Sequence, residues 1–153
     1  MRIYLDTCCY NRPYDDQSQN RIHDESEAVL SILHRSQGTG DVILASDILK
    51  WEIGQIPDSH RRFKVLTLYQ AAKENIPYII DIKKQAEKLQ AQSSIRSLDS
   101  LHIASAEWGK ANIFLTTDDR LIRACRNLSL SIRTLNPVSY LAEVIEHDGS
   151  EYQ

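Results

Sequence analysis

Residues 1–9 read MRIYLDTCC, in which a short apolar run at positions 3–5 stops at Asp6. A run of this length, bounded by an acid, is typical of a buried strand that ends where its side chains become polar. Residues 113–118 read IFLTTD and repeat the arrangement, with Asp118 three positions after the apolar run. If the two strands are parallel, their carboxyl ends face the same edge of a sheet, and both acids lie where ligands bind in such folds.

The rest of the chain alternates between strand-like and helix-like patterns. Further strands are predicted at 42–45 and 78–80, with a short edge strand at 131–133. Helices are predicted at 22–35, from a cap at 46–47 toward 57, and at 59–73, 81–89, 97–109, 119–127 and from 137 onward. The polar, Pro-containing segment 11–20 (NRPYDDQSQN) predicts a loop. Strands separated by helices predict an α/β protein with a parallel sheet covered on both faces. We assign residues 1–146 to one domain and 147–153 to a polar C-terminal tail.

Composition and charge exclude several classes of protein. The 153 residues are 42% hydrophobic and 25% charged, which fits one globular domain and excludes low-complexity or fully disordered chains. Three cysteines, two of them adjacent, do not form a disulfide framework or a zinc motif. No apolar run approaches the ~18 residues of a membrane span, and the N-terminus lacks a signal-peptide pattern. We therefore expect a cytoplasmic protein without membrane association.

The net charge of −3 argues against a protein that coats nucleic acid through bulk positive charge. It does not argue against a site that handles a polyanion through metal ions. The relevant observation is where the acids stand in the predicted fold, not how many there are.

Four acids occupy positions that this topology brings toward one edge of the sheet. Asp6 and Asp118 follow strands, Glu52 lies on the helix after the second strand, and Asp99 lies in the first turn of the helix that starts at Ser97. Carboxylates gathered in this way repel one another, and a divalent cation removes that penalty. Mg²⁺ or Mn²⁺ prefers such oxygen ligands. The sequence therefore predicts a divalent metal site.

Each acid also has an ordinary structural role. Asp6 and Asp118 can cap a turn or a helix, Asp99 can interact with a helix dipole, and Glu52 can be a solvated surface residue. Their joint placement, rather than any single residue, favours the metal site.

The same residues resemble the PIN domain family, in the style of VapC-like toxins and their stand-alone relatives, from residue 2 to about 135. The resemblance is carried by residues 5–7 (LDT), Ser46 with Glu52, residues 98–104 (LDSLHIA) and residues 115–118 (LTTD). It implies a three-layer α/β/α sandwich with a central parallel sheet of four to five strands. It also implies a Mg²⁺- or Mn²⁺-dependent endoribonuclease that hydrolyses RNA phosphodiester bonds.

What the resemblance implies for individual residues can be carried over by position. The expected catalytic acids are Asp6, Glu52, Asp99 and Asp118, the expected metal ligands among them are Asp6, Asp99 and Asp118, and the expected supporting residues are Thr7, Thr116 and Asp119. Asp119 follows Asp118 directly, which leaves the identity of the fourth acid open between them. The implied biology is the toxin of a VapBC-type pair, with a VapB-like antitoxin as partner and a homodimer as the assembly.

Several other polar residues are candidates for contact with the substrate. They are Asn11, Arg12, Arg96, His102 and Arg120. A buried, hydrogen-bonded histidine is the more ordinary interpretation of His102. Cys8 and Cys9 are assigned to packing beside the first strand rather than to nucleophilic chemistry.

Two other function classes fit parts of the sequence. A phosphatase of the haloacid dehalogenase type also starts with a strand and an Asp, but it needs a second Asp two residues later, where this chain has Cys8. A catalytically silent PIN-like binding module would share the fold without cleaving a substrate. Metal binding and cleavage distinguish that module from a nuclease.

Overall fold

A computed structural model of the protein describes residues 1–151. The strands are β1 (Arg2–Leu5), β2 (Val42–Ser46), β3 (Glu74–Ile76), β4 (Ile113–Leu115) and β5 (Arg133–Leu135). The helices are α1 (Thr7–Asn11), α2 (Asn20–Gly38), α3 (Asp47–Gly54), α4 (Ser59–Tyr69), α5 (Ile80–Gln92), α6 (Ser97–Trp108), α7 (Asp119–Arg126) and α8 (Pro137–Glu151), with a 3-10 turn at Arg12–Tyr14.

The five strands form one parallel sheet in the order β3-β2-β1-β4-β5. The central strand β1 pairs Ile3 with Ile43 of β2 and with Ile113 of β4. Helices cover the sheet, and the protein has the three-layer α/β/α fold that the sequence predicts. Since the chain adds strands on one side of β1 and then on the other, the order reverses between β1 and β4. The crevice at the carboxyl ends of these two strands is therefore the expected ligand site.

The core is centred on β1 and β4, whose side chains are almost entirely buried. Ile3, Leu5 and Phe114 are each no more than 1% exposed, and the ring of Tyr4 stacks on Phe114 with centroids 5.3 Å apart. Burying a side chain of this size contributes about 1.5–3 kcal/mol. This tight packing fixes the strand ends from which the functional side chains project.

Two predicted strands are displaced in the structure, and both lie at the edges of the sheet. The third strand is Glu74–Ile76 rather than 78–80, because Ile80 starts α5 and is exposed. The last strand is Arg133–Leu135 rather than 131–133. An edge strand pairs on one side only and buries few side chains, so it lacks the apolar run by which the central strands are identified.

The segments predicted to be irregular contain more helix than expected. Residues 11–20, predicted as a loop, hold the end of α1, the 3-10 turn and the start of α2. Helix α8 continues to Glu151, inside the predicted polar tail, and residues 152–153 lie outside the described part of the chain. None of the described helices is long and apolar enough to cross a membrane.

Candidate metal centre

Asp6 lies at the carboxyl end of β1 and caps the short helix α1. Its backbone N–H donates to the carbonyl of Leu115 on β4, at 2.9 Å, which joins the ends of the two strands. Its Oδ1 atom accepts from the backbone N–H of Thr7 at 2.8 Å, and its Oδ2 atom accepts from the hydroxyl of Thr116 at 3.0 Å. Both oxygens of this buried carboxylate are thereby held by neutral donors.

Thr116 connects the two strand-end acids. Its hydroxyl donates to Asp6 and accepts from the backbone N–H of Asp118 at 3.2 Å. Thr116, which the sequence predicted to support the acids, therefore forms a direct hydrogen bond with Asp6.

Cys8 does more than pack beside the first strand. Its half-buried thiol lies 3.5 Å from Asp6 Oδ2 and 3.4 Å from Thr116 Oγ1. Cys9 is buried and contacts the carbonyl of Leu115, as a packing role predicts. The adjacent cysteines thus differ, since the first lines the acidic cluster and the second faces the sheet.

Glu52 reaches the cluster from α3, whose first turn is capped by the side chain of Ser46. Its Oε2 atom lies 3.4 Å from Nε2 of His102 on α6. That same nitrogen is 3.9 Å from Asp6 Oδ1. Glu52, Asp6 and His102 each offer one ligand atom, and the three atoms lie within 4.8 Å of one another.

The donor set fits a divalent cation. Two carboxylates face each other across this small space, and carboxylate oxygens are the ligands that Mg²⁺ and Mn²⁺ take. Thr7 Oγ1 is buried and forms no hydrogen bond of normal geometry within the described residues. It is nonetheless close enough to Glu52 to help lower the pKa of that acid. An unsatisfied buried hydroxyl beside two carboxylates is a further oxygen available to an ion or its water.

The electrostatics of Glu52 and His102 are coupled. Burial acts to raise the pKa of Glu52, but the hydrogen bond and charge of His102 outweigh it and lower that pKa. Burial acts to lower the pKa of His102, but the hydrogen bond with Glu52 and the charges of Asp6, Glu52 and Asp99 raise it. Without a bound cation each group thus favours the charged form of the other, whereas a divalent ion beside these carboxylates would favour the neutral ring of His102.

Asp99 carries the clearest sign of crowded negative charge. Its pKa is raised to about 6, chiefly by burial and then by the charge of Asp6. The charges of Asp118 and Glu52 add to a smaller extent, and the charge of His102 opposes the shift. The acid predicted in the first turn of α6 therefore shares one electrostatic environment with the other three.

Asp118 and Asp119 have different surroundings although they are adjacent. Asp118 caps α7 by accepting from the backbone N–H of Arg120 at 2.9 Å, and it lines a small cleft together with Asp99, Arg96 and Arg120. Asp119 does not line this cleft and instead forms a bidentate ion pair with Arg21, at 2.8 and 2.9 Å. The structure thus places Asp118, rather than Asp119, beside Asp99.

Three of the residues predicted to contact a substrate interact with other groups of the protein instead. Arg12 forms ion pairs with Asp15 and with buried Glu25, both at 3.1 Å. Asn11 donates to the carbonyl of Thr7 and accepts from Arg61. His102 is fully buried behind the carboxylates, so it does not face a substrate. Arg96 and Arg120 differ, since each is exposed and forms no ion pair within residues 1–150.

Sequence reasoning missed Tyr4, which lies behind the cluster. Its buried hydroxyl contacts Ser46 Oγ at 2.8 Å and His102 Nδ1 at 2.7 Å. The available signal was a tyrosine in the middle of an aliphatic strand, because a buried phenol needs a hydrogen-bond partner.

Comparison with known proteins gives one family match. The family model described as PIN domain matches residues 3–127. No curated protein matches the chain significantly in sequence.

The solved structures that share the fold include two VapBC chains. One is a chain of VapBC2 from Rickettsia felis bound to a DNA fragment from their promoter, with 14% identity, a TM-score of 0.56, and coverage of 89% of this chain and 98% of that chain. The other is a chain of DNA-bound VapBC from Salmonella typhimurium, with 13% identity, a TM-score of 0.56, and coverage of 90% and 98%. At this level of identity the likeness concerns the fold.

Proposed function

The chain belongs to the PIN domain family, and from this premise we propose that it is a metal-dependent endoribonuclease of the VapC type. The observation that carries the proposal is the approach of Asp6 and Glu52 within a cluster whose ligand atoms lie within 4.8 Å. No lysine or arginine contacts Asp6 in the described part of the chain. A cluster of this kind has a place for a cation that the protein itself does not fill.

We propose that Asp6, Glu52 and Asp99 hold a Mg²⁺ or Mn²⁺ ion and that Asp118 completes the site at its exposed rim. When bound, such an ion would polarise the scissile phosphate and the attacking water. Thr116 and the Thr7 backbone N–H hold both oxygens of Asp6 in position. Asp119 is assigned to the ion pair with Arg21 and only indirectly supports the site.

RNA is the proposed substrate because positive charge flanks the acidic cleft. Arg96 and Arg120 line the cleft with Asp99 and Asp118 and are free to contact a phosphate. Arg123 and Arg126 are also exposed on α7 but lie beside Asp119, outside this cleft. Arg96 and Arg120 can bind a nucleic-acid backbone next to the acids without giving the whole protein a positive charge.

The proposed assembly is a cytoplasmic homodimer that a VapB-like antitoxin inhibits. An apolar groove lined by Ile48, Trp51, Tyr78 and Leu98 supports the dimer, since Trp51 is 59% exposed and such a patch is unusual on a monomer. The VapBC complexes that share the fold support the antitoxin. Light scattering of Trp51→Glu tests the dimer, and co-purification with the product of the neighbouring gene tests the antitoxin.

Cleavage of RNA by the purified protein tests the central proposal. We expect cleavage with Mg²⁺ or Mn²⁺, none with EDTA, and recovery when the metal is restored. Asp6→Asn should be inactive, and Asp24→Asn, which changes an exposed acid on α2, should be fully active. Activity in EDTA or in Asp6→Asn would contradict the proposal. Metal binding without cleavage of any RNA would support the silent binding module instead.

A further inference from the structure

A chain of hydrogen bonds runs behind the acidic cluster from the N-cap of α3 to the last turn of the same helix. It joins Ser46 Oγ to Tyr4 OH at 2.8 Å, Tyr4 OH to His102 Nδ1 at 2.7 Å, and His102 Nε2 to Glu52 Oε2 at 3.4 Å. Ser46, Tyr4 and His102 are all 0% exposed. Bulk solvent therefore does not reach these groups, and their hydrogen bonds have to be mutually consistent.

The hydroxyl of Ser46 sets the direction of the chain. Its oxygen already accepts from the backbone N–H of Leu49 at 3.0 Å, as the cap of α3. Its own proton needs an acceptor, and Tyr4 OH is the one acceptor within reach among the described residues. Leaving this buried proton unpaired would cost about 1–3 kcal/mol.

Each later step follows from the previous one. The buried proton of Tyr4 also needs an acceptor, and once Ser46 Oγ acts as donor the remaining acceptor is Nδ1 of His102. A nitrogen that accepts carries no proton in the neutral ring, so the proton of His102 lies on Nε2. Nε2 points at Glu52 and donates to it. Reversing the chain would leave the proton of Ser46 without an acceptor.

We propose that His102 is a positioning residue for the nuclease site, which holds Glu52 by donating a hydrogen bond whose direction Ser46 and Tyr4 impose. The inference rests on the proposed function for its consequence, although the hydrogen-bond direction can be measured without it. His102 is then not a metal ligand, because Nε2 carries a proton and has no lone pair for an ion. Of Asp6, Glu52 and His102, the two acids alone then bind the cation, and both bind it through oxygen atoms.

This arrangement has a consequence for the choice of metal. Imidazole nitrogen suits zinc and nickel, whereas carboxylate oxygen suits magnesium and manganese. A histidine that donates to Glu52 instead of binding the ion keeps the site a hard-oxygen site. Partners of this kind, one step removed from the ion, typically change metal affinity or activity by roughly 10- to 100-fold when they are lost.

The direct test is the tautomer of His102, measured by long-range proton–nitrogen NMR on the ¹⁵N-labelled protein with saturating Mg²⁺. The expected result is a neutral ring protonated on Nε2. A ring protonated on Nδ1, or on both nitrogens, would overturn the proposal. Because the tautomer is measured without RNA, a failure to cleave RNA refutes the proposed function and leaves this measurement intact.

A matched pair of tyrosine variants tests the consequence. Tyr4→Phe removes the hydroxyl that directs the chain and should weaken Mn²⁺ binding roughly 10-fold. Tyr10→Phe is the control, since Tyr10 is equally buried and its hydroxyl has no hydrogen-bond partner among the described residues. Equal Mn²⁺ affinity in the two variants would contradict the proposal.

Two variants of His102 separate positioning from packing. The amide nitrogen of glutamine reaches about as far as Nε2, so His102→Gln keeps a donor for Glu52, whereas His102→Asn does not. We expect His102→Gln to bind Mn²⁺ within about threefold of the unchanged protein and His102→Asn to bind roughly 10-fold more weakly. Equal losses in both variants would contradict a role for the Nε2 donor.

Discussion

Two buried carboxylates, Glu25 and Asp6, are compensated in opposite ways. Glu25 is 1% exposed, and its Oε1 atom lies 3.1 Å from Arg12 and 3.5 Å from Arg21. The amide of Asn136 donates to its other oxygen. The charge of Glu25 is therefore balanced inside the protein.

Asp6 is 6% exposed and has neutral donors where Glu25 has arginines. Its charged neighbours are mainly further acids, since Asp6 and Glu52 both act to raise the pKa of Asp99. Burying a carboxylate without a cation costs free energy, so an arrangement that keeps several together has a reason other than stability. The difference teaches that Glu25 belongs to the framework, and it supports the proposal that Asp6 belongs to a cation site.

The largest expected effect is the loss of catalysis in Asp6→Asn. The substitution preserves size and removes the charge at the centre of the cluster, so the stabilisation supplied by a bound cation is lost. We expect cleavage to fall at least about 100-fold, equivalent to roughly 3 kcal/mol of transition-state stabilisation. Single-turnover rates with excess protein measure it. If the cleavage rate of Asp6→Asn fell by less than about threefold, Asp6 would not differ from Glu25 in its role, and the comparison would be contradicted.

The next effect is on the free energy of unfolding, which only one of the two substitutions should lower. Glu25→Gln leaves Arg12 and Arg21 without their buried partner and should lower the free energy of unfolding by about 2–4 kcal/mol. Asp6→Asn relieves repulsion and should leave the stability of the metal-free protein unchanged or higher. Urea unfolding in EDTA measures both. Equal destabilisation by the two substitutions would contradict the comparison.

The raised pKa of Asp99 predicts that the stability of the metal-free protein depends on pH, with a smaller effect than that of Glu25→Gln. Its folded-state pKa of about 6 lies above the ordinary value of 3.8, so the folded protein holds this proton more tightly than the unfolded chain. Stability of the metal-free protein should therefore fall as pH rises from about 4 to 6, and that step should be absent in Asp99→Asn. Urea midpoints across this range measure it. The same step in both proteins would assign it to another group.

The smallest effects distinguish the adjacent acids of α7. Asp118→Asn should slow cleavage, because Asp118 lies in the cleft with Asp99. Asp119→Asn should leave cleavage within about twofold, because an exposed ion pair such as that with Arg21 contributes little. Parallel cleavage assays compare them. A greater loss in Asp119→Asn would exchange their roles.

The local pattern of the sequence predicted the family, the fold and the four acids of the candidate site. An apolar run that ends in an acid identifies both a central strand and the residue at its carboxyl end, as at Asp6. The PIN resemblance and the parallel α/β/α architecture are confirmed by the family match and the five-stranded sheet. The roles assigned to the acids remain predictions.

What the sequence could not predict depends on distant partners or on weak edge patterns. Arg21 and Asp119 are 98 positions apart, as are Tyr4 and His102, and no local pattern pairs them. In β3 only Ile76 is buried, so the strand lacks an apolar run and was predicted four residues too late. The contact of Cys8 with Thr116 likewise arises only when β1 and β4 become neighbours.

Calorimetric titration of Mn²⁺ into the metal-free protein tests most directly whether the Asp6 cluster is a cation site. The unchanged protein and Glu25→Gln, measured where both are folded, should bind Mn²⁺ with similar affinity, and Asp6→Asn should show no binding at the same concentrations. Binding that survives in Asp6→Asn, or an absence of binding in the unchanged protein, would contradict the account.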